Sequence, residues 1–460
     1  MAIPGFDRDE FKDKLTEQLT ASGPVRSIEH LIGREKEMSL IEQALSAEGR
    51  HVFIYGDRGV GKTSLAASAA TQYQSADNNY IQIGCGPDTE FYKTIEELAE
   101  RVIKKANGKR AYDVAHTINV KFYRLNWQSK DHEVVIPNVD SMYMAVEVIE
   151  EVSQYHSLAP IIVIDEFDQI DSDKERRLFA MFLKDLGDRG VNIKIIFTGV
   201  ATSLTELLGS HGSSFRQLHT IELDRLNWSA REKIVYDAVS SFGLSIQKEV
   251  VYTIAKISNG FPYYVHLLTE TLLWCAIDAE QDITEINFDL FELAVGIAIK
   301  SISAHLKLPY DKATLHRAAD NQDVLWATAD SESTIRYIDG MFSSYIRIHQ
   351  QLYGNNPDSN ARPLPRAKFT ARLANLKKVE YGSILENPSD RKGIYSYKEN
   401  ILRGYVALRA LEQGIELRGD IPDEPRKPTA LARGSRPSSA GKDYTPRVKF
   451  RGEVYDGEES

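Results

Sequence analysis

Gly56-Asp57-Arg58-Gly59-Val60-Gly61-Lys62-Thr63 decides what kind of fold this chain can have. It follows directly on the apolar run His51-Val52-Phe53-Ile54-Tyr55 and leads directly into the helix-like Ser64-Leu65-Ala66-Ala67-Ser68-Ala69-Ala70. Strand, glycine-rich turn and helix, in that order, are the context in which a phosphate-binding P-loop works. Glycines let backbone N–H groups converge on phosphate oxygens where a Cβ would block the approach. Lys62 sets a positive charge against the β- and γ-phosphates, and Thr63, at the helix N-terminus, offers a hydroxyl to Mg²⁺. Gly56, Asp57, Arg58, Gly59, Val60, Gly61, Lys62, Thr63 and Ser64 together predict a cradle for ATP.

A second segment bears on cleavage. Ile161-Ile162-Val163-Ile164 is a short β-branched run of the kind expected for a central strand buried on both faces, and it ends in Asp165-Glu166-Phe167-Asp168. Carboxylates at the C-terminal end of a parallel strand project into the crevice where ligands bind. Asp165 is expected to accept from the water shell of Mg²⁺, with Glu166 orienting and deprotonating the attacking water. Asp168 has two readings, a site carboxylate or a cap for the following helix.

The chain has 460 residues, 42% of them hydrophobic and 27% charged, with a formal net charge of −10. That is enough for about two to four domains and argues against a nucleic-acid-binding surface over the whole molecule. Cys85 and Cys275 are the only cysteines, too few for a disulfide framework and without metal-ligand spacing, which fits a reducing cytoplasm. The first ten residues are too polar for a signal peptide, and no apolar run reaches the ~20 residues that cross a bilayer, so no membrane partner is expected.

Strands and helices alternate from the P-loop onward, with strands expected at residues 80–83 and 191–197 and helices at 38–45, 91–105 and 176–186, which implies a parallel sheet. Residues 117–137 break the rhythm and read as an inserted hairpin, with Lys121, Arg124 and Trp127 as candidate nucleic-acid contacts. From residue 229 to about 300 the pattern is helical throughout. The tail from about residue 419 is rich in Pro, Gly, Ser and paired charges and predicts no fixed structure.

The combination resembles the AAA+ superfamily, and within it the initiator-like ATPases of the origin-recognition and cell-division-control type, with kinship to STAND-type ATPases. The resemblance rests on Leu31-Ile32-Gly33-Arg34-Glu35, which matches the family's motif near the adenine, and on Thr198, at the place of the residue that senses the γ-phosphate. Arg216 matches the arginine that reaches a neighbouring subunit's nucleotide, with an ordinary surface role as the other reading. The family's lid segment corresponds to Gly260-Phe261-Pro262, and Pro262 joins Gly33 and Arg34 as an expected nucleotide neighbour. Where loader-type members carry a lid arginine, this chain has Tyr263, with His266 a turn later. The resemblance implies a homo-oligomer with ATP at the subunit interface.

Beyond residue 300, helical patterns at 314–329 and 334–352 are followed by the basic amphipathic stretch 366–378 and by a hairpin around the turn 387–393. Three helices and a hairpin are the order of a winged helix-turn-helix, which the loader-type ATPases carry at this position. Eleven basic residues against four acidic ones between positions 362 and 409 leave a local excess of seven positive charges. Arg366, Lys368 and Arg372 are candidates for a major groove of double-stranded DNA, and Arg391 and Lys392 for its phosphates. A winged helix that binds protein is the competing expectation.

The expected fold is therefore α/β, a P-loop AAA+ parallel sheet with a helical lid and a C-terminal winged helix-turn-helix. The expected organisation is a leader at 1–27, a nucleotide domain at 28–228, a lid at 229–300, a winged helix at 301–418 and a tail at 419–460. The expected function is an ATP-hydrolysing switch that assembles on DNA or a DNA-associated partner. The alternative is a STAND-like signalling or phage-defence ATPase, or an effector-recruiting adaptor, whose winged helix packs on the ATPase domain.

Overall fold

The computed structural model describes residues 3–20, 31–74, 79–105, 138–156, 160–201, 217–354, 362–388 and 393–419. The expected hairpin at 117–137, the tail beyond 419, and Arg216, Arg391 and Lys392 lie outside them. The described residues belong to one compact unit.

The first helix, α1 (Arg8–Gln18), opens with a reciprocal cap in which Asp7 and Glu10 satisfy each other's backbone N–H groups. After α2 (Glu35–Ser46) the chain builds β1 (His51–Tyr55), α3 (Lys62–Tyr73), β2 (Ile81–Gly84), α4 (Phe91–Lys105) and α5 (Met142–His156). Then come β3 (Ile161–Asp165), α6 (Asp173–Arg189), β4 (Lys194–Gly199) and β5 (Leu218–Glu222). The five strands form one sheet in the order β2-β3-β4-β1-β5, parallel throughout. One strand, β4, thus separates the P-loop strand from the acidic strand. Alternation serves both faces. Val52, Ile54, Val163 and Ile196 pack toward α2 and α3, while Phe53, Ile162, Ile164 and Phe197 enter a second core with Phe91, Phe179 and Phe182.

His51, at the start of β1, is a polar residue in this core, 1% exposed. Its Nδ1 accepts the Ile195 N–H at 3.2 Å. Burial, with the Lys194 charge behind it, pushes its pKa down to about 3, so the folded chain keeps it neutral while the unfolded chain takes up a proton below about pH 6.5. This contribution to stability is complete above the unfolded value and shrinks as pH falls toward the folded one. By pH 5 it amounts to a loss of about 2 kcal/mol. The urea midpoint of the wild type should be lower at pH 5 than at neutral pH, and the gap should narrow in His51→Asn.

A helical layer follows, with α7 (Trp228–Ser241), the short β6 (Ser245–Ile246), α8 (Lys248–Ser258), α9 (Pro262–Ile277), the short β7 (Glu285–Ile286) and α10 (Phe288–Ser301). The N-terminal helix belongs to its core, because Phe11 is fully buried and its ring lies 5.1 Å from Phe242 and 4.9 Å from Trp274.

The C-terminal part contains α11 (Ala304–Thr314), α12 (Asp320–Ala329), β8 (Ile335–Tyr337), α13 (Ile338–Tyr353) and α14 (Arg366–Asn375), then β9 (Leu385–Glu386), β10 (Ile394–Tyr397) and α15 (Leu402–Glu412). Three details differ from expectation. The 314–329 pattern holds only the last residue of α11, which carries Pro309, and then the whole of α12. The 334–352 pattern begins as a strand, pulled out of the helix by antiparallel pairing of Ile335, Arg336 and Tyr337 with β10. The closing helix α15 carries no motif. The three short strands form a sheet in the order β8-β10-β9. Among the described residues no helix is long and apolar enough to cross a membrane.

Candidate nucleotide site

The P-loop runs from the end of β1 to the start of α3. Gly56 is forced by packing, since a Cβ there would sit 2.3 Å from the Leu223 carbonyl oxygen. Gly59 and Gly61 adopt φ of +84° and +97°, the left-handed region that side chains avoid. In this loop Lys62 Nζ donates to the carbonyls of Gly56 and Asp57, both at 2.9 Å. Burial lowers the Lys62 pKa, opposed by the carboxylates of Asp168 and Asp57.

Thr63 and Asp165 face one another across the cleft, the threonine hydroxyl donating to Asp165 Oδ1 at 3.0 Å. Thr198, ending β4, donates to the same oxygen, and its Oγ1 also accepts the Glu166 N–H at 3.0 Å. Asp165 Oδ2 accepts from Gln82 Nε2 at 3.1 Å. A hydroxyl and a carboxylate, hard oxygen donors at a helix N-terminus, are the donor set that suits Mg²⁺. The metal, when bound with ATP, supplies charge neutralisation at the phosphate oxygens. Glu166 sits in the left-handed region at φ 56° with an exposed side chain at the cleft. That conformation costs of order 1–3 kcal/mol and turns its carboxylate out of the strand.

Several expected residues have other work. Asp168 does not cap the next helix: Ser172 does, and Asp168 instead pairs with Arg58 at 3.3 Å. Arg34 is 5% exposed and donates to the Val60 carbonyl at 2.9 Å, bracing the P-loop from behind. Gly33 lets helix α7 approach, since a Cβ would meet Ala230 Cβ at 2.5 Å. Pro262, Tyr263 and His266 line the cleft from α9. Arg366 pairs with Asp339, and Arg372 with Asp320 at 3.2 Å, while Lys368 is exposed.

Sequence reasoning missed the residues that cover the P-loop from the C-terminal side. Asn400 Nδ2 donates to the Asp57 carboxylate at 2.8 Å. A Cβ on Gly59 would lie 2.5 Å from Ile401 Cδ1, so the isoleucine rests on the loop itself. The Ile401 carbonyl accepts the hydroxyl of the buried Tyr264 at 2.8 Å. No local signal marks Asn400 or Ile401, because the contact joins positions more than three hundred residues apart.

Residues 30–196 match the family model of the AAA ATPase domain. With the strand order above this match gives the P-loop AAA+ fold expected from the sequence. Among solved structures, the chain is similar to a Walker-type ATPase of Pyrococcus abyssi, at 17% identity over 84% of this chain and 99% of that one, with a TM-score of 0.48. It is also similar to Cdc6p of Pyrobaculum aerophilum, at 15% identity over 88% and 99%, TM-score 0.42. The RuvB Holliday-junction branch-migration motor of Thermotoga maritima follows, at 14% identity over 85% and 98%, TM-score 0.40. No curated protein matches the chain by sequence.

Proposed function

We propose that the chain is an ATP-hydrolysing switch whose C-terminal winged-helix unit is latched onto the P-loop and shifts when ATP and Mg²⁺ occupy the site. The observation that carries this reading is the sharing of Asp57. Its carbonyl takes the Lys62 ammonium and its carboxylate takes Asn400. Phosphates that draw Lys62 onto themselves therefore act on the residue that holds the latch.

Further ties support it. Arg225, just beyond β5, donates to the Asn259 carbonyl at 3.0 Å and to the Glu332 carbonyl at 3.3 Å, joining the lid turn to the C-terminal part. Arg403 of α15 is 1% exposed and donates to the carbonyls of Ser331 and, at 2.7 Å, Ser333. The order α12, β8, α13, α14, β9 and β10, with β10 central in the sheet, supports a winged-helix reading in which α14 is the proposed groove-reading helix.

In this reading P-loop N–H groups and Lys62 bind the phosphates, and Thr63 and Asp165 hold Mg²⁺. Thr198 senses the γ-phosphate, and Glu166 takes the proton of the water that attacks the γ-phosphorus, with ADP leaving. Gly33, Arg34 and Pro262 border the nucleotide, and Arg216 completes the site of a neighbouring copy in a cytoplasmic oligomer.

Double-stranded DNA is the proposed output surface, supported by the exposed basic face of α14. Arg366 and Lys368 are its principal contacts, Arg372 steadies the helix through Asp320, and Arg391 and Lys392 meet phosphates. Each phosphate contact releases condensed counterions, so Arg366→Gln with Lys368→Gln should lower the salt slope of log affinity by about one unit per lost contact. Fluorescence anisotropy on one duplex at two salt concentrations reads this. Unchanged affinity and slope would favour the second reading, a signalling or defence module in which the same latch releases a protein-binding surface.

A further inference from the structure

The two oxygens of Asp165 are held differently. Oδ1 accepts from the hydroxyls of Thr63, at 3.0 Å, and Thr198, and from the Glu166 N–H at 3.2 Å. Oδ2 accepts from Gln82 Nε2 at 3.1 Å. Gln82 lies on β2, whose register sets Gln82 beside Val163 and Gly84 beside Asp165. Its neighbours Ile81 and Ile83 turn into the core under α4 and α5, so period-two alternation sends Gln82 to the opposite face, where α3 begins. From there the long side chain reaches forward along the strand to the carboxylate, which the shorter Asn would not do. The amide is itself oriented, because Gln82 Oε1 accepts the Tyr80 hydroxyl at 3.4 Å, leaving the NH₂ toward Asp165.

We propose that Gln82 is a positioning residue for ATP hydrolysis, fixing the plane of the Asp165 carboxylate so that Oδ1 is presented to the Thr63 hydroxyl and the Mg²⁺ shell. Mg²⁺ demands near-ideal octahedral geometry and tolerates little wandering of the groups around it. Partners that orient such groups are typically worth 10–100-fold in metal affinity. The proposal rests on the reading of Asp165 and Thr63 as the metal side of the site. It adds a fourth strand, β2, which no motif marks, to the β1, β3 and β4 strands that already serve the site.

The test is a Mg²⁺ titration of the full chain bound to a fluorescent ATP analogue, read by fluorescence and not by turnover. Gln82→Leu keeps the volume and removes the donor. It should move the Mg²⁺ midpoint upward by about 10–100-fold, while metal-free analogue affinity and the thermal midpoint stay at wild-type values. Gln82→Met, equally donorless but more adaptable in packing, should show the same shift and stands in if the leucine variant does not fold. Asp165→Asn separates the two levels of the argument. If Asp165→Asn shifts the midpoint and neither Gln82 variant does, the role of Gln82 is overturned and the site stands. If Asp165→Asn also leaves the midpoint unchanged, the metal reading fails and the proposal falls with it.

Discussion

Glu166→Gln should lower the rate of ATP hydrolysis by about 10²–10⁴-fold, the usual contribution of a positioned general base, while ATP still binds. The amide keeps the volume and the backbone turn but cannot take a proton. Among the described residues the other carboxylates at the cleft are engaged: Asp165 is held by Thr63, Thr198 and Gln82, and Asp168 is paired with Arg58. Lys62→Ala differs in kind, because it deletes a charge that faces the ground-state phosphates and should weaken binding itself. Single-turnover hydrolysis, with nucleotide affinity measured separately, resolves the two. Wild-type turnover in Glu166→Gln would remove this residue from the chemistry.

Gly404→Val should break the latch. Gly404 lies in α15, and a Cβ there would sit 2.2 Å from the ring of Tyr264, which is fully buried and hydrogen-bonded to Ile401. Overpacking of this kind typically costs 1–3 kcal/mol. If that strain is relieved by α15 leaving α9, the latch equilibrium moves about 5–150-fold toward the open state. Limited proteolysis should then cut the C-terminal part correspondingly faster, and ADP should dissociate faster from a P-loop no longer covered by Ile401. Asn400→Ala with Ile401→Ser tests the same contact without disturbing Tyr264, and should reproduce the faster release with little change in thermal stability. Unaltered proteolysis and ADP release in both variants would mean that the contact is packing alone.

What the sequence makes legible is local. The P-loop and the acidic strand are short motifs whose chemistry needs neighbours in the chain, and both stand where expected on β1, α3 and β3. The helix at 91–105 is legible because Ile95 and Leu98 fall on one buried face. Strand β8 is not, since residues 334–352 have apolar spacing that suits a helix, and only pairing with β10 extends Ile335, Arg336 and Tyr337. Helix α11 is hidden by Pro309, a residue that argues against a helix interior. Asp168 illustrates a different limit: a carboxylate before a helix is a fair cap, but Ser172 lies closer to the first turn and Arg58 offers the charge. Gln82 and Asn400 are illegible in principle, because their partners are set by strand register and by long-range docking.

Nucleotide state is expected to move the C-terminal part relative to the P-loop. Spin labels at Tyr143→Cys and Val379→Cys, exposed positions at 61% and 78%, report on it directly, since the native Cys85 and Cys275 are buried. In the Glu166→Gln chain, double electron–electron resonance should give one distance distribution without nucleotide and a displaced one with ATP and Mg²⁺. A single unchanged distribution in both states, with ATP shown to be bound, would contradict the account.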